Sequence, residues 1–312
     1  MDQDAIPPVS LKDYDADFGD FSRRLGRTFE RFGFAVISDH ALPDALVQGA
    51  LERTKAFFAL PETVKRGYII PGGAGQRGYT AFGVEAAKGA EHGDLKEFWH
   101  VGRDLPSGHP YSGLIAPNVW PDEIAGFPEA AISLYEGLEA MGLRLLRAIA
   151  HYLGLQDDAL TAAAKDADSI LRLLHYPPLA DGAEGSRAGP HEDINAITLL
   201  LGAEEAGLQV LARDGRWLAI NPPPGSVVVN IGDMLQRLTN DRLPSTTHRV
   251  VNPALSRRGA PRFSTPFFLH FAPDYPIRTL RSCVRADRPD RYPKPITAHD
   301  YLMERLREIK LA

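Results

Sequence analysis

The chain is 312 residues long with 44% hydrophobic and 24% charged residues, ordinary globular values that exclude a disordered, collagen-like or membrane-embedded chain. Lys and Arg number 35 against 40 Asp and Glu, a formal charge of −5 that gives no polyanion-binding surface and speaks against a nucleic-acid partner. The single cysteine, Cys283, excludes an intrachain disulfide and a cysteine-based zinc site; the acidic start and the lack of any run of about 18 apolar residues predict a cytoplasmic chain with no membrane partner.

The 28 glycines and 25 prolines fall largely between short apolar stretches, the pattern of many strands joined by turns. In chain order, a helix is predicted over Asp20 to Arg31, and Gly33 then leads into the apolar run Phe34-Ala35-Val36-Ile37. A second helix follows Pro43 towards Phe58 and stops at Leu60-Pro61. Residues 68 to 120 read as loop-rich. After Pro128, Leu134, Leu138, Met141, Leu145, Ile149 and Leu153 recur in steps of 3 or 4 and close at Gly154, which predicts a long amphipathic helix. From residue 169 the pattern shortens to strands: Ser169 to Tyr176, Ile194 to Leu201, Gly207 to Leu211, Trp217 to Ile220, Ser226 to Ile231, Thr247 to Val251 and Arg262 to Phe271. Short strands with turns between them and almost no helix predict a sandwich or jelly roll. Ala298 to Lys310 predicts a closing helix, and no repeat or low-complexity linker divides the chain, so one compact unit is expected.

His191-Glu192-Asp193 stands immediately before the apolar strand Ile194 to Leu201. On an extended chain, residues two apart project to one face, so the imidazole and the aspartate converge while Glu192 points away. A third metal ligand must come from another strand, and His248 opens one 55 residues after Asp193. Two imidazoles and one carboxylate on one face of iron(II) leave three positions open, the arrangement of non-haem oxygenases. The pattern alone is weak, because His92-Gly93-Asp94 repeats it in a glycine- and charge-rich stretch that reads as solvated surface. The context that raises it is Arg262-Phe263-Ser264, heading the apolar strand Pro266 to Phe271, 14 residues after His248. A guanidinium fork and a hydroxyl on one face make a clamp for an acid that also reaches the metal.

With these residues in place, the chain resembles the isopenicillin N synthase-like family of iron(II) and 2-oxoglutarate-dependent oxygenases over nearly its whole length. The N-terminal third carries the resemblance in Phe32-Gly33-Phe34-Ala35-Val36, Asp39-His40-Ala41-Leu42-Pro43, Phe57-Phe58 before Pro61, Gly78-Tyr79 and Asn118-Val119-Trp120-Pro121. The C-terminal half carries it in His175-Tyr176-Pro177-Pro178, Gly189-Pro190-His191-Glu192-Asp193, Gly232-Asp233, His248-Arg249-Val250 and Arg262-Phe263-Ser264.

The resemblance implies a mainly β fold with flanking helices around a double-stranded β-helix (jelly-roll) core. Its parts would be an N-terminal mixed α/β region (1–125), a long packing helix and connection (126–168), the catalytic core (169–275) and a C-terminal extension and helix (276–312). It implies iron(II) on His191, Asp193 and His248, with 2-oxoglutarate as cosubstrate and O2 as oxidant. Arg262 and Ser264 would hold the distal carboxylate of 2-oxoglutarate with Tyr176 beside it, while His40 and Trp120 would serve packing and loop anchoring. A variable lid over a small-molecule substrate would come from the loop around Arg77, Tyr79 and Phe82, the C-terminal helix and Arg187.

Two positions depart from the family pattern. Leu174 stands where many members have asparagine, and the stretch from Pro253 to Pro261 lengthens the gap before Arg262 and brings Arg257 and Arg258 as alternative clamps. The expected reaction is oxidation of a small organic substrate by hydroxylation, desaturation or cyclisation, with 2-oxoglutarate converted to succinate. An oxidase that uses no 2-oxoglutarate, an ethylene- or succinate-forming enzyme, a zinc hydrolase with the same ligands and a non-catalytic metal-binding jelly roll stay open.

Overall fold

In a computed structural model of the chain, the described residues are 5–85, 92–179, 185–202, 207–253 and 259–308. The strands are β1 (Pro8–Ser10), β2 (Phe34–Ser38), β3 (Gly78–Thr80), β4 (Glu97–Gly102), β5 (Ile170–Tyr176), β6 (Ala188–His191), β7 (Ile197–Leu201), β8 (Leu208–Leu211), β9 (Trp217–Ala219), β10 (Val227–Ile231), β11 (His248–Val250) and β12 (Arg262–Leu269), followed by a two-residue pair, β13 (Pro276–Ile277) and β14 (Ile296–Thr297). The helices are α1 (Lys12–Ala16), α2 (Phe18–Phe32), α3 (Asp44–Phe58), α4 (Glu62–Arg66), α5 (Phe127–Tyr152), α6 (Ala159–Ala163), α7 (Asp233–Leu238) and α8 (Ala298–Glu308).

Helix α2 starts where the Asp17 carboxylate accepts the Asp20 amide and ends at Gly33, whose φ of 69° is left-handed. A Cβ on Gly33 would lie 2.2 Å from Thr246 Oγ1, so glycine also lets β2 pass beneath the approach to His248. The apolar stripe of α5, from Leu134 to Leu153, is buried throughout, as its spacing predicts. That stripe covers one face of an eight-stranded sheet ordered β1-β2-β10-β7-β12-β5-β4-β3. A four-stranded sheet, β6-β11-β8-β9, makes the second layer.

Period-two alternation divides the large sheet into two faces. Leu171, Leu173, Ile197, Leu199, Val227, Val229, Phe267 and Leu269 point into the main core shared with α5. The residues between them face the second sheet: Phe34 and Val228 pack there against Leu208 and Val210, while Tyr176, Thr198, Asn230, Arg262 and Ser264 line an internal cavity. This is the jelly-roll arrangement of two facing sheets with the space between them put to use.

Three expectations need correction. Residues 68–120 contain β3 and β4, and β4 pairs along its full length with β5. Glu97 and His100 interrupt the apolar pattern of β4, yet both are buried because each has partners inside the fold. The strand-rich half also contains α7. Asp193 is not on one extended strand with His191: β6 ends at His191, β7 begins at Ile197, and Asp193 lies in the turn between them.

Candidate active site

His191 and His248 face each other in register across the antiparallel pair β6 and β11. Their ring centroids are 4.3 Å apart. Asp193 Oδ1 is 3.8 Å from His191 Nε2 and 3.9 Å from His248 Nε2, and the three donor atoms lie within 4.8 Å of one another. Both rings have their tautomer fixed by a backbone carbonyl: Nδ1–H of His191 donates to Gly189 O at 2.7 Å, and Nδ1–H of His248 donates to Thr246 O at 3.1 Å. Each Nε2 therefore carries a lone pair aimed at the shared point.

The aspartate is oriented the same way. Its Oδ2 accepts from Thr198 Oγ1 at 2.5 Å and from Asn230 Nδ2 at 2.8 Å, which leaves Oδ1 for the metal. Burial alone would raise its pKa, but the two imidazoles and these hydrogen bonds outweigh it and hold the carboxyl below its ordinary range. Burial and the adjacent His248 push His191 down to about 4, so its imidazole is neutral and free to ligate. The turn holding Asp193 is anchored by the Asp233 amide, which donates to Asp193 O at 2.7 Å. A Cβ on Gly232 would sit 2.1 Å from Asn195 O, and this close approach is why glycine precedes Asp233.

Two cavities open from this cluster. The smaller, about 70 Å3, runs between the sheets past Leu174, Tyr176 and Ser264 to Arg262. Arg262 is 1% exposed; Nη1 donates to Ser264 Oγ at 3.3 Å, and Nε and Nη2 have no hydrogen-bond partner among the described residues. A buried cation with two orphaned donors, facing a cavity that ends at a metal cluster, fits a carboxylate that the fold itself does not supply. The larger cavity, about 200 Å3, adjoins the smaller, sharing Lys96, Arg172, His191, Asp193 and Phe268, and its walls also include Phe98 of the large sheet, His270 just past β12, and Leu302 and Arg305 of α8.

Residues 6–123 match the family model of the non-haem dioxygenase in morphine synthesis N-terminal region, and residues 167–271 match that of the 2OG-Fe(II) oxygenase superfamily. The 2-oxoglutarate-Fe(II) type oxidoreductase hxnY of Emericella nidulans is 33% identical over 89% of this chain and 81% of its own. The chain belongs to the 2OG-Fe(II) oxygenase superfamily. Among solved oxygenase structures, that of a 2OG-Fe(II) oxygenase family protein from Caulobacter crescentus is 58% identical with a TM-score of 0.92, covering 98% of this chain and 100% of its own. A full-length Neurospora crassa protein, crystallised with alpha-KG and thymine, is 27% identical with a TM-score of 0.84 and 98% coverage of both chains. This oxygenase is accordingly an iron(II)- and 2-oxoglutarate-dependent dioxygenase with a jelly-roll core.

Within this oxygenase, His191, Asp193 and His248 come together, and Arg262, Ser264 and Tyr176 line the smaller cavity. Of the expected lid, α8 supplies Leu302, Arg305 and Leu306 to the larger cavity and the stretch around Arg77 supplies Gly75, Gln76 and Thr80, whereas Arg77, Tyr79, Phe82 and Arg187 themselves do not line it. Arg77 is buried over Gly102 and paired with Asp168 at 2.8 Å. Tyr79 belongs to β3 and points into the aromatic core beside Phe57, with its hydroxyl on Glu97. Phe82 is 44% exposed, and Arg187 packs behind Tyr176, its guanidinium carbon 5.5 Å from the ring. Arg257 and Arg258 lie outside the described residues. Among the described residues no helix is long and apolar enough to cross a membrane.

The sequence reading also missed residues of the site. Asp94, read as solvated surface, is 6% exposed, accepts the Gly189 amide at 3.0 Å and pairs with Lys96 at 2.7 Å. Arg172 follows from alternation on β5, since counting back by twos from Tyr176 gives Leu174, Arg172 and Ile170. The same count forward from Arg262 gives Ser264, Pro266 and Phe268.

Proposed function

We propose that His191, Asp193 and His248 hold the iron, that Arg262 and Ser264 bind the distal carboxylate of 2-oxoglutarate beside Tyr176, and that a small substrate occupies the larger cavity. The observation that supports this most strongly is the pairing of the oriented His-Asp-His cluster with a buried, half-unsatisfied guanidinium at the far end of one cavity. Iron(II) with 2-oxoglutarate supplies an oxidation in which one O2, the 2-oxo acid and the substrate become succinate, carbon dioxide and oxidised substrate.

The protein's own part is placement. Thr198 and Asn230 fix the aspartate, Gly189 O and Thr246 O fix the imidazole tautomers, and β5 and β12 carry the cosubstrate residues on rigid, paired strands. Leu174, Leu200, Leu208 and Val250 surround the smaller cavity and keep water from it. Substrate is held beside the ligand set, between Phe98, Phe268 and α8. The thymine-bound Neurospora crassa protein is a precedent for a small cyclic molecule beside such a site.

Anaerobic addition of iron(II) and 2-oxoglutarate is expected to give a metal-to-ligand charge-transfer band, with succinate forming once air is admitted. An enzyme that oxidises its substrate without forming succinate would instead be the oxidase. The His191→Ala variant is expected to lose both band and turnover while keeping its fold, because His191 borders a cavity rather than the main core.

A further inference from the structure

Six charged side chains line the larger cavity besides Asp193: Glu85, Asp94 and Glu192 against Lys96, Arg172 and Arg305. The inner four pair off, Glu85 and Asp94 with Lys96 and Arg172. Arg172 grips Glu85 through both terminal nitrogens, at 3.0 and 2.9 Å, and its Nε donates to His100 Nε2 at 2.7 Å. Lys96 bridges Glu85 at 2.6 Å and Asp94 at 2.7 Å. At the rim, Arg305 pairs with Asp233 at 3.3 Å and with Glu308 at 2.8 Å, and Glu192 accepts from the Thr247 hydroxyl. The metal centre balances separately, since a dication, Asp193, a doubly charged 2-oxo acid and Arg262 also sum to zero. Neither the inner four nor the metal centre has a positive charge to spare, so a carboxylate placed between them would stay uncompensated.

The remaining hydrogen-bonding capacity is specific. A guanidinium has five N–H groups, and Arg172 uses three of them, so each terminal nitrogen keeps one. Its plane is pinned between Phe98 at 4.0 Å and Phe268 at 5.1 Å. It can therefore donate to a carbonyl oxygen without releasing Glu85. His100 is spent on both sides, because Nδ1–H donates to Gly75 O at 2.6 Å. His270 is different: Nδ1–H donates to Phe268 O at 3.1 Å, and no described residue takes up Nε2, which is then an acceptor. Burial lowers the pKa of both histidines, which keeps these rings neutral.

We propose that the larger cavity takes an uncharged substrate bearing a carbonyl and an N–H or O–H group, a small amide or lactam, with Arg172 donating to the carbonyl and His270 accepting from the N–H or O–H. Carboxylates of the same shape are rejected because the inner cations are already paired, and amines because an ammonium repels Arg172 and offers it no acceptor. This rests on the iron and 2-oxoglutarate reading of the site.

The test uses the full chain loaded anaerobically with iron(II) and 2-oxoglutarate, the charge-transfer band showing that the site has formed. Matched probes are then titrated by calorimetry: benzamide, benzoate and benzylamine, and isobutyramide, isobutyrate and isobutylamine. The amides are expected to bind at least about tenfold more tightly than either charged counterpart. Glu85→Gln, which strips Arg172 of its counter-ion, is expected to improve carboxylate binding by at least about tenfold. Preference of the wild-type protein for a carboxylate or an amine, or failure of every amide to bind while the band is present, overturns the proposal. Absence of the band overturns the iron and 2-oxoglutarate reading itself, and this inference with it.

Discussion

Replacing Arg262 by leucine separates two effects that the wild-type side chain combines. In the cosubstrate-free protein its Nε and Nη2 are buried without partners, so the charge is carried at a desolvation cost that leucine removes. Unfolding of Arg262→Leu without 2-oxoglutarate is therefore expected at the wild-type midpoint or above it. With cosubstrate the balance reverses, because truncating one partner of a buried, hydrogen-bonded charge pair costs roughly 2–5 kcal/mol. The dissociation constant for 2-oxoglutarate should rise by between about 30-fold and a few thousand-fold, at about 1.4 kcal/mol per tenfold. Anaerobic titration of the charge-transfer band gives the affinity, and thermal unfolding with and without 2-oxoglutarate gives the stability and its linkage to binding. Wild-type affinity in the variant would move the carboxylate to another cation, with Arg257 and Arg258 the first to examine. A large fall in stability without cosubstrate would make Arg262 a structural residue and refute the reasoning.

Thr198→Val removes one of the two donors to Asp193 Oδ2, and iron(II) affinity measured by chelator competition should fall about 10- to 100-fold with the fold intact. Gly26→Ala sets helix propensity against packing: propensity favours alanine by about 1 kcal/mol, but a Cβ there lies 2.1 Å from the Tyr152 ring, so we expect a lower melting temperature. Glu97 is buried, which would raise its pKa, yet hydrogen bonds from His175, Lys65 and Tyr79 outweigh that and hold it below the ordinary carboxylate range. A depressed carboxyl stabilises the fold above its unfolded pKa and loses that contribution on acidification, so denaturant stability should drop as the pH falls below about 5. Glu97→Gln, which strands Lys65 with Glu62 alone at 3.2 Å, should cost roughly 3–5 kcal/mol at neutral pH and flatten the acid limb of that profile.

The parts of the molecule legible in the sequence were those whose pattern is set by burial alone. The stripe of α5 and the short apolar strands of the second half each show one periodicity that a single face imposes. His191, Asp193, His248 and Arg262 could be singled out because each combines a chemistry-bearing side chain with an adjoining apolar strand or strand start. The misses share a cause. Glu97, His100 and Arg172 are polar residues on buried strands, stable there only because tertiary partners satisfy them, and no local window contains those partners. Asp94 looked like surface because the residues just before it are glutamate, histidine and glycine, whereas its partners, Lys96 apart, come from β6. Arg77 and Tyr79 flank Gly78 in a loop-like stretch, and only the pairing of β3 with β4 reveals that they are turned inward.

The most direct test of the account is a crystal of the full chain soaked anaerobically with iron(II) and 2-oxoglutarate. We expect one metal bound by His191 Nε2, Asp193 Oδ1 and His248 Nε2, and a dicarboxylate reaching from it to Nε and Nη2 of Arg262. A metal held by other side chains, or a cosubstrate whose far carboxylate avoids Arg262, would contradict it.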